Sequence, residues 1–275
     1  FGANYYQFDL LAQPIGRLSV AFQGQAETAI VPTLASSGRR MWWSNRGDAG
    51  HSYLRRSFDL TQASSATMSF MLWYDIEYGW DYAYLRVSMD NDASWTPLRT
   101  ERMSDYDPVG NALAAGYTGP SMGAHGDGTA DAAQWVRERV DLTPYCGNKV
   151  VLQLDYVTDD AVNGAGLCLD DMTLDAVGYA TDFEDGHGGW QANGFVWTDN
   201  RLAQRYSLQA VFVEPGGIRV QPIEVAADGA AFALLDAPDG TERVVVIVAA
   251  ITPHSWEPAA YHLGVRGLAC EAPDS

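Results

Sequence analysis

Residues 68–89 read MSFMLWYDIEYGWDYAYLRVSM, and the spacing of their apolar side chains decides the fold. Met68, Phe70, Leu72, Tyr74 and Ile76 recur every second residue, whereas Ser69, Trp73, Asp75 and Glu77 take the alternate places. A period of two is the signature of a strand with one face buried. After a break at Tyr78-Gly79-Trp80 the alternation resumes: Ala83, Leu85, Val87 and Met89 oppose Tyr84, Arg86 and Ser88. Two alternating runs around a glycine-bearing turn predict an antiparallel hairpin.

The same rhythm runs through the rest of the chain. Val150, Leu152, Leu154 and Tyr156 alternate with Gln153 and Asp155, and further runs cover 205–213, 218–225, 231–235 and 243–251. PGG, ADG and APDG turns punctuate the later runs. No segment forms a capped amphipathic helix of three turns, so the expected class is all-β, an antiparallel jelly roll or β-sandwich. Two stretches break the pattern. Residues 104–134 are rich in Gly, Ala, Asp and Ser and read as a long functional or mobile loop. GYATDFEDGHGG (178–189) separates two strand-rich blocks, which predicts a jelly-roll domain over 1–180 and a smaller β-sandwich over 181–275. FDLTQ (58–62) and VDLTPYCG (140–147) read as corresponding turns entering strands.

Composition narrows the function classes. The 275 residues include 17 basic and 35 acidic side chains, a net charge of −18, which argues against nucleic acid because phosphate recognition needs clustered Lys and Arg. The longest apolar run, 244–251, is far shorter than the ~20 residues of a membrane span. The chain opens at Phe1 without a methionine, so a processed piece of a secreted precursor is expected. Cys146, Cys168 and Cys270 are odd in number and lack CxxC spacing, which excludes a zinc knuckle and leaves open one disulfide or three thiols.

None of the five histidines lies in an HExxH setting, and neither a GxSxG elbow nor a phosphate loop is present. Asp75 and Glu77 form a carboxylate pair on paper, but with 35 acidic residues such pairs arise readily by chance. No catalytic residue is therefore assigned. The carboxylates have two other readings, holding backbone donors or binding a hard cation through oxygen. On the second, Asp75, Glu77 and Asp81 with Asp170 and Asp171 are candidate ligands of a structural Ca²⁺; Asp155, Asp159 and Asp160 lie close enough in sequence to Asp170 and Asp171 to contribute beside them, and no organic cofactor is expected. In LCLDDMTL (167–174) the paired aspartates interrupt the alternation and predict a bulge. SMDNDASW (88–95) resembles the aspartate-box turn, with Ser88, Asp90 and Trp95 in structural places and Asp92 where glycine is usual. Trp42, Trp43, Trp73, Trp80 and Tyr82 are candidate sugar-stacking rings, against the alternative of core packing. Arg46-Gly47-Asp48 is an adhesion tripeptide in letters alone.

WWSNRGD (42–48), the block 57–95, the block 135–174 and FEDGHGGWQANGF (183–195) occur in one order. Together they resemble the C-terminal, non-catalytic region of secreted bacterial metallopeptidases of the immune inhibitor A type, a region similar to MAM-like jelly rolls. The likeness departs in the 104–134 loop, at Asp92 and at Cys146. It implies an accessory β-sandwich from a zinc-peptidase precursor, extracellular, with the catalytic or another chain of that precursor as partner. Two other readings stand beside it: a jelly roll binding glycans or an extracellular glycoprotein, and a structural subunit of a surface assembly joined by strand addition.

Overall fold

A computed structural model of the chain describes residues 2–10, 15–123 and 132–269. Among these there is no α-helix, only strands and two short 3₁₀ turns at Thr143–Tyr145 and Asp175–Val177. The chain gathers into two compact units, Pro32–Asn200 and the combination of Phe1–Val31 with Arg201–Ser275.

The first unit is a sandwich of two antiparallel sheets. One sheet runs in the order Gln191–Asn193, His51–Asp59, Lys149–Val157, Tyr82–Ser88, Thr96–Leu98. The other runs Val196–Thr198, Met41–Trp43, Gly166–Leu174, Thr67–Asp75, Val136–Asp141, and Tyr179–Thr181 also pairs with Gly166–Leu174. Met68, Phe70, Leu72, Tyr74 and Ile76 are all buried in one core with Leu85, Val87, Leu152, Leu154 and Tyr156 from the opposite sheet. Alternation in each strand sends these side chains to the same side, so one continuous apolar layer forms between the sheets. Met89 departs from its expected face: it lies one residue beyond the strand Tyr82–Ser88 and is exposed. Asp59 and Asp141 end strands, correcting the reading that the D-L-T turns enter them. In both, the aspartate accepts from the backbone N–H two residues on, Thr61 at 3.0 Å and Thr143 at 2.9 Å, while Leu60 and Leu142 drop into the core.

The outer faces are not simply solvated. Trp73 occupies the polar side of its strand yet is 2% exposed, and its indole N–H donates to Ala133 O at 3.0 Å. Tyr84 is buried on the outside of the other sheet, where its hydroxyl accepts from Leu113 N. The described part of the 104–134 segment is therefore a cover, and not a detached loop. It is pinned by bridges Ser104↔Gly116, Ala83↔Tyr117 and Asp75↔Pro120, with Tyr117 fully buried against Tyr74. The expected bulge is present: register shifts between Asp170 and Thr173, and Asp171 takes φ 44°.

The second unit contains a four-stranded sheet, Ala3–Asp9, Arg243–Ala250, Tyr206–Glu214, Gly217–Ile223, and a three-stranded one, Ala230–Asp236, Ile15–Gly24, Tyr261–Ala269. Val20, Phe22, Leu208, Phe212, Leu235 and Val246 fill its own core. A single cut near residue 180 does not describe this grouping. Ala3–Asp9 and Ile15–Gly24 pair with strands beyond 229, and Phe183 and Trp190 belong to the first unit's core. Alternation tells which face of a strand is buried but not which strand lies beside it, so pairing across 240 residues leaves no local trace.

Replacing Phe70, 1% exposed, with alanine is expected to cost about 3–5 kcal/mol, because the surrounding side chains cannot collapse into the space of a phenyl ring. Ser69→Ala, on the opposite face, should change stability by less than about 0.5 kcal/mol. Urea unfolding of the two variants measures the difference, and equal costs would contradict the assigned faces.

Candidate functional site

The turn at 76–81 carries the chain from Thr67–Asp75 in one sheet to Tyr82–Ser88 in the other, so the two strands do not pair and the expected antiparallel hairpin is instead a crossing between the sheets. Gly79 takes φ +79°, a conformation open to glycine without penalty, and a Cβ there would lie 2.9 Å from Tyr106 and Pro108. Asp81 N donates to Glu77 O at 3.1 Å, and Thr118 clamps the turn by accepting from Gly79 N at 2.7 Å. Glu77 and Asp81 thus face one another across a rigid loop. A third carboxylate arrives from the neighbouring strand. Val157 pairs with Tyr82, so Asp159, two residues beyond the strand end, comes to lie beside Asp81. Its backbone N–H donates to Asp81 Oδ1 at 2.9 Å.

Carboxylate oxygens of Glu77, Asp81 and Asp159 all lie within 4.8 Å of one another. Asp81 is fully buried, and loss of hydration raises its carboxyl to about 6, with Asp159 and Glu77 pushing the same way. Glu77 is also raised, first by burial and then by Asp159 and Asp48. Its Oε2 is shielded from solvent and has no hydrogen-bond partner. An acceptor buried without a donor costs roughly 1–3 kcal/mol, more if charged. Two groups can relieve it, a proton or a cation. The donors are all oxygen, which suits Ca²⁺ with about six to eight oxygen ligands and does not suit zinc, whose sites are built on Cys and His. The residues present therefore fit a hard divalent cation.

Of the other expected ligands, Asp75 ends its strand and is raised by burial, with Arg46 opposing that shift. It is not part of the three-carboxylate group. Asp170 and Asp171 sit elsewhere, and their oxygens go to backbone and hydroxyl donors. Asp170 accepts from Ser37 N at 3.2 Å and Asp171 N at 2.8 Å, and Asp171 accepts from Ser37 Oγ at 2.6 Å. Burial pushes Asp170 up to about 7 against those hydrogen bonds. Together with Glu184, which accepts from Arg39 N and Arg40 N, the pair straps the segment 37–40. Asp155 is likewise spent, accepting two bonds from Arg86 and one from Gln153, with His51 Nε2 at 2.7 Å.

Four of the five candidate sugar-stacking rings are buried: Trp42, Trp43, Trp73 and Tyr82 are each at most 4% exposed. Trp43 donates to Ala165 O, and Tyr82 to Tyr106 O. Trp42 packs in the core against His187, while described parts of the 104–134 segment lie over Trp73 and Tyr82 and the loop before Gly166 over Trp43, so these faces are not offered to a ligand. Trp80 alone of the set is exposed, near the stacked rings of Tyr78 and Tyr106, whose centroids lie 4.6 Å apart. At the aspartate-box turn, Asp90 accepts from Ser88 Oγ, Ser94 N and Ser94 Oγ, bonds that hold its carboxyl near 2. Asp92 adopts φ 73° there, and Trp95 lies under the Arg86 guanidinium. In the Arg-Gly-Asp tripeptide, Asn163 holds both charged side chains, accepting from Arg46 Nε and donating to Asp48. Cys146 and Cys168 are free thiols, and Cys270 lies outside the described residues.

Sequence reading grouped Asp159 with Asp170 and Asp171, and the structure instead brings it to Glu77 and Asp81. The only signal that could have found it is the pairing register of Lys149–Val157 with Tyr82–Ser88.

Comparison with known proteins agrees with the architecture. The chain is 28% identical over 163 residues to the pre-pro-metalloprotease PrtV of Vibrio cholerae serotype O1, which is 58% of this chain and 16% of that protein. It is 29% identical over 162 residues to immune inhibitor A of Bacillus thuringiensis subsp. alesti, 58% of this chain and 21% of the relative. The chain thus spans about a fifth or less of the length of these relatives. Among solved structures, dimeric latent PorU from Porphyromonas gingivalis is similar with a TM-score of 0.19 and 10% identity, over 90% of this chain and 31% of that one, which carries no argument. The sequence model described as "Immune inhibitor A-like, MAM domain" matches residues 18–200, ending where the first compact unit ends. With more than half of its length matched, the chain belongs to the immune inhibitor A-like MAM domain family.

Proposed function

We propose that the chain is a non-catalytic, extracellular accessory module of a secreted immune inhibitor A-like metallopeptidase, made rigid by a calcium ion held by Glu77, Asp81 and Asp159. The family match over 18–200, together with the similarity to a pre-pro-metalloprotease, carries this reading. The sequence contributes no HExxH pair, so zinc hydrolysis belongs to another part of such a precursor. Three carboxylates at one turn suit the weak extracellular calcium sites, with dissociation constants of roughly 10⁻⁴–10⁻³ M. When bound, the ion neutralises the mutual repulsion of the three groups. Glu77 and Asp81 then hold the 76–81 turn, and Asp159 ties it to the adjacent strand. The exposed rings of Tyr78, Trp80 and Tyr106 around this turn offer a contact surface for a protein substrate of the peptidase domain.

Calcium at about 100 times its dissociation constant adds about 2.7 kcal/mol by linkage, a rise in melting temperature of roughly 5–10 °C for a unit of this size. Chelation with EDTA should reverse it, and Glu77→Gln or Asp81→Asn should abolish it. An unchanged melting temperature with calcium would remove the cation from the reading.

Without the ion, Asp81 near 6 and Asp170 near 7 hold their protons more tightly in the folded chain than at the ordinary value of 3.8. Their contribution is complete below about pH 3.8 and is lost as pH rises through 6 and 7. In EDTA the chain should therefore melt at a higher temperature at pH 5 than at pH 7.5, and melting that rises steadily with pH over this range would contradict the assignment.

The isolated chain should show no azocasein hydrolysis with added zinc. Deleting it from the full precursor should lower kcat/KM on casein, or the half-life of the secreted enzyme, while leaving kcat on a short chromogenic peptide intact. Loss of activity on both substrates in a stable, folded deletion would place the chain in the catalytic machinery.

A further inference from the structure

A polar cleft of about 390 Å³ opens on the first unit, where Arg55, Arg56 and Ser57 meet Asn91 and Asp92 of the turn after Tyr82–Ser88. Strand register sets this meeting. Arg55 lies opposite Gln153 on one side and Gln191 on the other, so polar side chains run across the outer face of the sheet, and Gln191 lines the cleft.

Two guanidiniums stand side by side here in a chain of net charge −18, and they are held differently. Arg55 Nη1 donates to Asp92 Oδ2 at 2.5 Å. Arg56 has no carboxylate partner among the described residues. Its guanidinium carbon lies 4.0 Å from the centroid of the Tyr179 ring and 4.9 Å from that of Phe58. Stacking on rings fixes a guanidinium plane while the N–H groups at its edge remain donors. The Tyr179 hydroxyl beside it cannot saturate five such groups. Gly189, at φ +78°, keeps the place open, because a Cβ there would lie 2.7 Å from Arg56 Nη1 and displace it.

Asp92 supplies the other half of the site. It stands where the aspartate-box turn usually has glycine, so its carboxylate is an addition to that turn. Oδ2 holds Arg55, but Oδ1 is shielded from solvent and has no hydrogen-bond partner. A fitting ligand therefore brings an anion to Arg56 and a donor to Asp92. A sulfate lacks the donor, and a simple cation would be repelled by Arg56. A peptide with free termini carries both charges, and its amide groups match the carboxamides of Asn91 and Gln191 and the Ser57 hydroxyl between them. The volume lies near the lower end of ligand pockets, roughly 300–1,000 Å³, which suits a ligand of two or three residues. We propose that this cleft binds the zwitterion of a di- or tripeptide, with the terminal carboxylate on Arg56 and the terminal ammonium on Asp92 Oδ1. The site does not depend on the accessory-module reading or on the cation at Glu77, Asp81 and Asp159.

Calorimetric titration of the full chain with trialanine, N-acetyl-trialanine and trialanine amide tests the site at pH 7, below the α-amino pKa of about 8. Trialanine should bind with a dissociation constant of about 1 mM or below, and blocking either terminus should weaken it about tenfold or more. Arg56→Met, which keeps a chain over the Tyr179 ring, should weaken trialanine by a similar factor, with circular dichroism checking its fold. Asp92→Asn should bind trialanine and its N-acetyl form equally, since the ammonium then has no charged partner. Arg17→Gln, in the other unit, should change nothing. The proposal is overturned if trialanine gives no saturable heat, if the blocked peptides bind wild type as tightly as the free one, if Asp92→Asn still discriminates against the N-acetyl form, or if only free alanine binds.

Discussion

The antiparallel pairing of Lys149–Val157 with both His51–Asp59 and Tyr82–Ser88 is the constraint on which the first unit depends. Leu154 lies opposite Leu54 on one side and Leu85 on the other, so the three central strands present their apolar side chains to the same core. A slip of one residue would turn Leu152, Leu154 and Tyr156 outward and bring Gln153 and Asp155 in. Asp155, buried on the outer face among Arg86, Gln153 and His51, reinforces the register, because its charge is compensated only in this alignment.

The same register builds the acidic site. Tyr82 opposite Val157 sets Asp81 and Asp159 at one end of adjacent strands, and Glu77 is returned to them by the Gly79 turn. The site is thus a product of sheet geometry and not of a contiguous motif. Its energetics follow from placement. Carboxylates at a strand end with little water repel one another, and burial favours whichever partner, proton or cation, removes the charge. Asp170, buried and raised without belonging to that group, shows that burial alone does not mark a metal site. There the same residue type takes backbone donors and ties down the segment 37–40.

The two ends of the chain form a unit with its own core. Aromatic residues have opposite fates in the two units. Trp42 packs in the sandwich core and Trp43 and Trp73 stand in strands under covering segments, whereas Trp256, on the connection after Ala250, keeps 71% of its surface exposed.

Alternation alone determined the all-β class of this protein, the buried faces of 68–76 and 150–156 and the bulge at Asp170-Asp171, because each depends on side-chain direction along a few neighbouring residues; it did not reveal that the strands on either side of 76–81 go to different sheets. The quoted order of blocks was also enough to reach the family. Strand partners were decided only in the tertiary structure, and with them the assignment of 181–200 to the first unit, the pairing of Ala3–Asp9 and Ile15–Gly24 with strands beyond 229, and the meeting of Asp159 with Asp81. The covering of Trp73 and Tyr84 belongs with these. The physical reason is common to all of them: period-two patterning encodes a face, while partnership and cover are set by chain closure over tens to hundreds of residues, which the local sequence does not record.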